Sequence, residues 1–293
     1  MKTRTEQEML ALIVAFAEGD KRIRAVLMTG SRVDLRADAD PFQDYDVTYF
    51  VSAVEPFRNR EFVLAVFGET LVIEEPLRGP WPPNDAGEDY HNYNVQFADG
   101  NRIDMIFRSV NELPRSLDNS LLAVLLDKDG RVPPLPAPSR SCYAPEPPAE
   151  SLFLGCCTGF FFTLCSHIPK TIWRRKLPLL KFYVETCLRD ALVLMLQWEV
   201  GIRTEWTESI GKKGKDLEVH LPPGMWESYR RTYVGGDYAD LWDSLFVFHE
   251  LFRCSAQSVA QALGFRFPQE QSERVLRLLH HVRSLPEDAE SIY

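Results

Sequence analysis

Apolar positions along this chain follow two periods, and the change from one to the other divides it. Met9, Leu10, Leu12, Ile13, Phe16 and Ala17 recur at helical spacing, which predicts an amphipathic helix over 5–18 with that stripe facing a core. Ile23 to Thr29 is a short apolar run ended by Gly30-Ser31, and Val47 to Val51 is a second, β-branched and aromatic one; both predict strands. Phe62 to Phe67 predicts a short helix, and Leu71 to Glu75 a strand closed by Pro76. The prolines between Arg78 and Gly87 predict a loop. Tyr93–Phe97 and Arg102–Phe107 flank Ala98-Asp99-Gly100-Asn101, the pattern of a hairpin. Ser120 to Leu126, closed by Asp127-Lys128-Asp129-Gly130, reads as helix or strand.

Seven of the eighteen residues from 133 to 150 are proline, which excludes helix or sheet interior there and marks a semi-rigid connector. After it the period is helical. Phe153 to Cys165 is apolar enough to predict a helix buried on most sides. Leu177 to Trp198 carries Leu180, Tyr183, Val184, Cys187, Leu188, Ala191, Leu192, Met195 and Leu196 at helical spacing, with Gly201 as its expected cap. Met225–Val234, Asp240–Leu263 and Gln269–Val282 complete a bundle of about five helices. The fold class is therefore α+β, a mixed sheet with flanking helices in residues 1–135, a Pro-rich linker over 136–150 and a helical domain in 151–293.

At 293 residues, with 45% of them apolar, the chain is long enough for two cores. A net charge of −9 argues against a nucleic-acid surface and suits a cationic small substrate, although acidity for solubility alone gives the same sign. We find no apolar run expected to span a bilayer and no signal peptide, so no membrane partner is expected. Six cysteines without zinc spacing read as reduced, mostly buried thiols of a cytoplasmic protein.

The candidate chemistry sits in Phe42-Gln43-Asp44-Tyr45-Asp46-Val47. Side chains two apart on a strand share a face, so Asp44 and Asp46 project together. Charges on a strand floor are costly to desolvate and call for a cation; two hard oxygen ligands at this spacing suit Mg²⁺. An Asp-x-Asp alone is more often a turn or a solvated strand end. Its neighbours change that balance: Gly30-Ser31-Arg32 predicts a turn and short helix whose N–H groups bind an anion, and Asp104 adds a third carboxylate if its strand lies beside the other two.

Gly30-Ser31-Arg32, the FQDYDVTYFV run from Phe42 and Arg102-Ile103-Asp104-Met105, in this order, resemble the nucleotidyltransferase superfamily. With TRTEQEMLALIVAFA before them, they are similar specifically to the aminoglycoside 6-adenylyltransferases, also called streptomycin adenylyltransferases. Lys170-x-x-Trp173-Arg174, Arg189, Met195-x-x-Trp198-x-x-Gly201, Gly211-Lys212-x-x-Lys215, Thr232-Tyr233 and His249 to Arg253 extend the resemblance over nearly the whole chain.

The resemblance implies a catalytic first domain and a substrate-binding second one. The implied reaction is Mg²⁺-dependent transfer of AMP from the co-substrate ATP to an aminoglycoside hydroxyl, streptomycin by default, with release of pyrophosphate. Asp44, Asp46 and Asp104 are then the catalytic and metal-binding residues, Asp104 also a candidate base. Gly30, Ser31, Arg32, Arg189, Lys212, Lys215 and Tyr233 are the nucleotide-binding candidates. The family also carries acids in the first helix of its second domain and after the Trp-Arg segment, where this chain has Gly155, Gly159 and Lys176. That departure opens the alternative of a different small-molecule or protein hydroxyl as acceptor; a non-catalytic nucleotide-binding module is the third reading. A monomer or weak homodimer is expected.

Overall fold

The computed structural model describes residues 2–75, 89–286 and 288–293 and divides into two compact units, Met1–Cys142 and Tyr143–Tyr293. The expected loop from Arg78 to Gly87 lies outside the described residues.

The first unit opens with α1 (Glu6–Gly19), started by a capping box in which Thr5 and Glu8 satisfy each other's backbone N–H groups. The strands β1 (Ile23–Thr29) and β2 (Tyr45–Val51) follow, then a 3₁₀ turn at Glu55–Arg58 and the short helix α2 (Arg60–Leu64). Next come β3 (Thr70–Glu74), β4 (Tyr90–Phe97), β5 (Arg102–Ser109), α3 (Leu113–Ser116) and β6 (Leu122–Asp127), which resolves the helix-or-strand ambiguity of that run. The six strands form one mixed sheet in the order β3-β4-β5-β2-β1-β6. Only β2 and β5 run parallel; the other neighbours are antiparallel.

Alternation along the strands sorts the side chains onto two faces. Tyr45, Val47, Tyr49 and Val51 of β2 and Ile103, Met105 and Phe107 of β5 join Met9, Ile13 and Phe16 of α1 in the main core. Phe107 is its hub, stacked between Tyr49 at 5.1 Å and Phe57 at 4.9 Å. The opposite face buries only a small cluster around Ala25, Leu27, Phe50, Leu113 and Leu122. Two polar ties fix the edges. Lys128 donates to the carbonyls of Ala17 and Asp20 at the C-terminus of α1, where a cation meets the negative end of the helix dipole. Arg4 pairs with Asp99 in the β4–β5 turn at 2.6 Å.

The second unit begins with α4 (Glu150–Phe162), which continues through a π-helical turn at Thr163–His167 into α5 (Ile168–Trp173). α6 (Leu177–Phe182) likewise passes through a π segment, Tyr183–Leu188, into α7 (Arg189–Arg203). Then come α8 (Leu217–His220), α9 (Pro223–Arg230), α10 (Tyr238–Leu263) and α11 (Gln269–Arg283). Their core is aromatic, with Phe160 stacked on Phe252 at 3.8 Å.

Four expectations need correction. The helix over 153–165 is buried on one side only: Phe153, Cys157, Phe160 and Phe161 face the core, while Leu152, Leu154 and Phe162 are exposed. The continuous run Glu150–Trp173 is also long and apolar enough to cross a membrane, by length and composition alone. Core helices of bundles pass the same test, and this one sends seven buried side chains into the second core. Of the six cysteines, all unpaired with one another, Cys157 alone is fully buried and Cys142, Cys187 and Cys254 are exposed. Gly201 caps nothing: α7 runs on to Arg203, and Gly201 leaves room for the ring of Trp206, 2.5 Å from where a Cβ would stand.

This last point has a sign that can be measured. Replacing glycine by alanine inside an exposed helix stabilises it by about 1 kcal/mol. Gly201→Ala is instead expected to destabilise by about 1–3 kcal/mol, because the methyl overpacks against Trp206. A lower urea midpoint, followed by tryptophan fluorescence, is the expected result; a raised midpoint contradicts this packing.

Candidate active site

The sheet's lesser face carries the polar residues. Asp46 is the second residue of β2, and its Cα partner across the parallel pair is Asp104 of β5. Even-numbered side chains on both strands point away from the aromatic core, so register alone makes the two carboxylates neighbours. Asp44, just before β2, joins them. One carboxylate oxygen from each of Asp44, Asp46 and Asp104 lies within 4.8 Å of the others, all three side chains half-buried. Three hard oxygen donors converging at that distance fit a divalent cation of the Mg²⁺ type better than a soft metal.

The turn after β1 forms the wall of this cluster. Gly30 has φ +80°, and a Cβ built on it would stand 2.0 Å from Oδ2 of Asp46. A side chain there is excluded twice, by the left-handed backbone and by the carboxylate. The turn is closed by the Val33 N–H donating to the Gly30 carbonyl at 3.2 Å. It does not continue into a helix, so the expected helix N-terminus is missing, and any anion contact at Gly30-Ser31 comes from turn amides.

Arg32, expected at a phosphate, is turned inward. Its guanidinium donates to the carbonyls of Asp44 at 3.0 Å and Gln43 at 2.7 Å, lies 3.8 Å from the centre of the Tyr45 ring, and approaches Glu6 at 3.7 Å. Its Nε and one terminal nitrogen are committed to the backbone that presents Asp44.

Sequence reasoning missed Arg102. It lies two residues before Asp104 on the same face, the one available signal. Its guanidinium grips Asp104 with two hydrogen bonds, 3.0 and 2.7 Å, and reaches Asp44 at 3.8 Å. Asp104 foremost, then the fields of Asp44 and Asp46, holds the Arg102 charge more firmly than usual.

The remaining candidates belong to the second unit and are described within it. Arg189 is buried. It donates to Glu185 at 2.6 Å and to the hydroxyl and carbonyl of Thr232 at 2.8 and 3.2 Å, and packs 3.5 Å from the ring centre of Tyr233. The Tyr233 ring is exposed, backed by that guanidinium and by a hydroxyl–hydroxyl hydrogen bond to Tyr229 at 3.1 Å. Lys212 and Lys215 are exposed in the Gly211–Lys215 loop, where Gly211, Lys213 and Gly214 all have positive φ; Lys213 between them pairs with Asp190 at 3.1 Å. Gly155 and Gly159 are exposed on α4 with no atom within 4 Å of a built Cβ, and Lys176 is exposed before α6.

The chain matches the family described as Streptomycin adenylyltransferase over residues 3–282. It is 30% identical over 267 residues to an aminoglycoside 6-adenylyltransferase of Bacillus subtilis (strain 168), covering 90% of this chain and 93% of that one. It is 30% identical over 266 residues to one of Campylobacter jejuni, covering 90% and 91%. Among solved structures, an aminoglycoside 6-adenyltransferase from Bacillus subtilis aligns at 26% identity with a TM-score of 0.48, over 96% of this chain and all of that one.

The Gly30–Asp46 contact yields a direct test of the cluster. Gly30→Ala must push the Asp46 carboxylate aside. It is expected to weaken Mn²⁺ binding by about 10–100-fold, the usual effect of disturbing a ligand's support, measured by electron paramagnetic resonance of free Mn²⁺. Unchanged affinity would show that Asp46 is not a ligand.

Proposed function

Because the chain belongs to the streptomycin adenylyltransferase family, and so is a nucleotidyltransferase, we propose that it transfers AMP from ATP to a hydroxyl of an aminoglycoside, with streptomycin the first acceptor to test. The observation that supports this most is the convergence of Asp44, Asp46 and Asp104 on one face beside the Gly30 turn.

In the proposed reaction the acceptor oxygen attacks the α-phosphorus, the bond to the β-phosphate oxygen breaks, pyrophosphate leaves, and the acceptor proton passes to a base. Asp44, Asp46 and Asp104 would hold Mg²⁺, which would supply positive charge to offset that gathering on the leaving pyrophosphate. Gly30 makes room for the Asp46 carboxylate, and the Ser31 turn amides are the donors available to a phosphate. Arg32 keeps Asp44 aimed by fixing its carbonyl. Asp104, on an interior strand of the sheet, is the candidate to take the acceptor proton, once its ion pair with Arg102 opens. In the second unit, Lys212 and Lys215 are exposed cations suited to phosphate oxygens, and Tyr233 is an exposed ring suited to a purine. Arg189, with its donors on Glu185 and Thr232, supports Tyr233 from behind.

A second reading keeps the transfer and changes the acceptor, to another hydroxylated metabolite or a protein hydroxyl. It is favoured by Gly155, Gly159 and Lys176, exposed positions at which the resemblance leads one to expect acids. Fewer carboxylates weaken attraction for a polycationic sugar.

The test is transfer of label from α-³²P-ATP to a panel of acceptors, with pyrophosphate release followed in parallel. Release that requires both Mg²⁺ and an aminoglycoside is expected. Asp46→Asn should lower the transfer rate by about 10²–10⁴-fold, corresponding to the several kcal/mol of a metal-held transition state. Transfer that survives replacement of both Asp44 and Asp46 by alanine contradicts the mechanism, and transfer to other acceptors alone selects the second reading.

A further inference from the structure

Three carboxylates whose oxygens approach within 4.8 Å repel one another, and the fold answers that repulsion with a charge of its own. Arg102 and Asp104 stand two apart on β5, on the same face, and the guanidinium fork takes both oxygens of Asp104. Its remaining nitrogen reaches Oδ2 of Asp44 at 3.8 Å. The Arg102 side chain is itself half exposed, which leaves it a solvent side toward which to swing. A cation accepting an oxygen from each of the three aspartates would draw on the same Asp104 carboxylate that the guanidinium holds. Two positive charges brought to that one carboxylate repel each other, so each weakens the other's hold.

We propose that Arg102 is the resident counter-ion of the carboxylate cluster and competes with the divalent metal for Asp104, so that metal loading displaces its guanidinium. This rests on the reading of Asp44, Asp46 and Asp104 as metal ligands. The arrangement offsets part of the negative charge of the cluster and sets a higher threshold for metal binding than three aspartates alone would give. Once released, the guanidinium remains within one side-chain length of Asp104, on the face where the nucleotide's phosphates are proposed to bind.

The test is a double-mutant cycle read by Mn²⁺ binding to the full chain, with electron paramagnetic resonance reporting free metal and circular dichroism reporting the fold. Arg102→Gln is expected to bind Mn²⁺ about three- to tenfold more tightly than the parent, the range for losing a two-pronged but half-exposed ion pair; Arg102→Met repeats the measurement with an apolar replacement. In an Asp104→Asn background the same substitution should change affinity by less than about twofold, because the contact that couples the two residues is already gone. Equal or weaker binding by both Arg102 variants overturns the proposal while leaving the metal site standing. A gain that persists undiminished with Asp104→Asn also overturns it, since it then reflects only the removal of a nearby positive charge. No Mn²⁺ binding by the parent or by either variant removes the metal site and the proposal together.

Discussion

Like charges held close are the constraint on which the first unit turns. Two carboxylates at about 4.8 Å repel by roughly 3–4 kcal/mol at an effective dielectric near 20. Left to themselves the strands would slide or splay to separate them. The parallel ladder between β2 and β5 prevents this, with seven residues of each strand in register from Tyr45–Ile103 to Val51–Ser109. A slip of one residue would send Asp104 toward Tyr49 and Phe57 and bring Met105 or Ile103 out to solvent. Burying the odd-numbered side chains against α1 thus fixes where the even-numbered charges stand. The core stabilises the fold and, by the same register, sets the geometry of the site.

What surrounds the cluster follows from that tension. Gly30 brings backbone where any side chain would collide with Asp46. Arg32 ties down the carbonyls of Gln43 and Asp44, so the segment entering β2 cannot relax away from its neighbours. Arg102 supplies positive charge from within the same strand. Each is a local arrangement that a stability-minded sequence would avoid: a left-handed turn, an arginine facing inward, acids on a sheet. Such conflicts gather where function requires them, and the aromatic stack of Phe16, Tyr49, Phe57 and Phe107 provides the burial that tolerates them.

This division explains what was legible in the sequence. Strand period is two, so Asp44-x-Asp46 and the phase of Asp104 against Met105 could be read directly, as could the strand limits Ile23–Thr29 and the hairpin around Asp99 and Gly100. That β5 lies beside β2 is a long-range pairing, which no local pattern encodes. The partners of Arg32 and Arg102 were hidden for the same reason: an arginine reaches several ångströms in any direction, and its sequence neighbours do not say which carbonyl or carboxylate it meets. The absent helix after Gly30 shows a limit of another kind. A strand followed by Gly-Ser resembles a phosphate turn whether or not helical residues follow, and here turns carry the chain on to Asp44.

The second unit was legible as helices and opaque as a surface, and the π segments are the cause. A π turn inserts one residue into the helical ladder and rotates every later side chain by about 100° relative to a 3.6 period. Tyr183–Leu188 lies between Leu177 and Arg203, so the face presented by Glu185, Asp190 or Glu199 could not be counted off from the stripe that begins at Leu180. In the structure their fates diverge. Glu185 is paired with Lys181 and Arg189, Asp190 with Lys213, and Glu199 is buried. Glu185 and Asp190 are thus paired within the unit and Glu199 is withdrawn from solvent, while Gly155 and Gly159 leave open space on α4 where acids were expected. A polycationic acceptor gains little from paired or buried carboxylates, because their charge is already offset or withdrawn from solvent. The proposed transfer chemistry thus rests on strand register in the first unit, and the proposed choice of acceptor on helical faces whose side-chain phase the π segments hide, which is why the two questions separate.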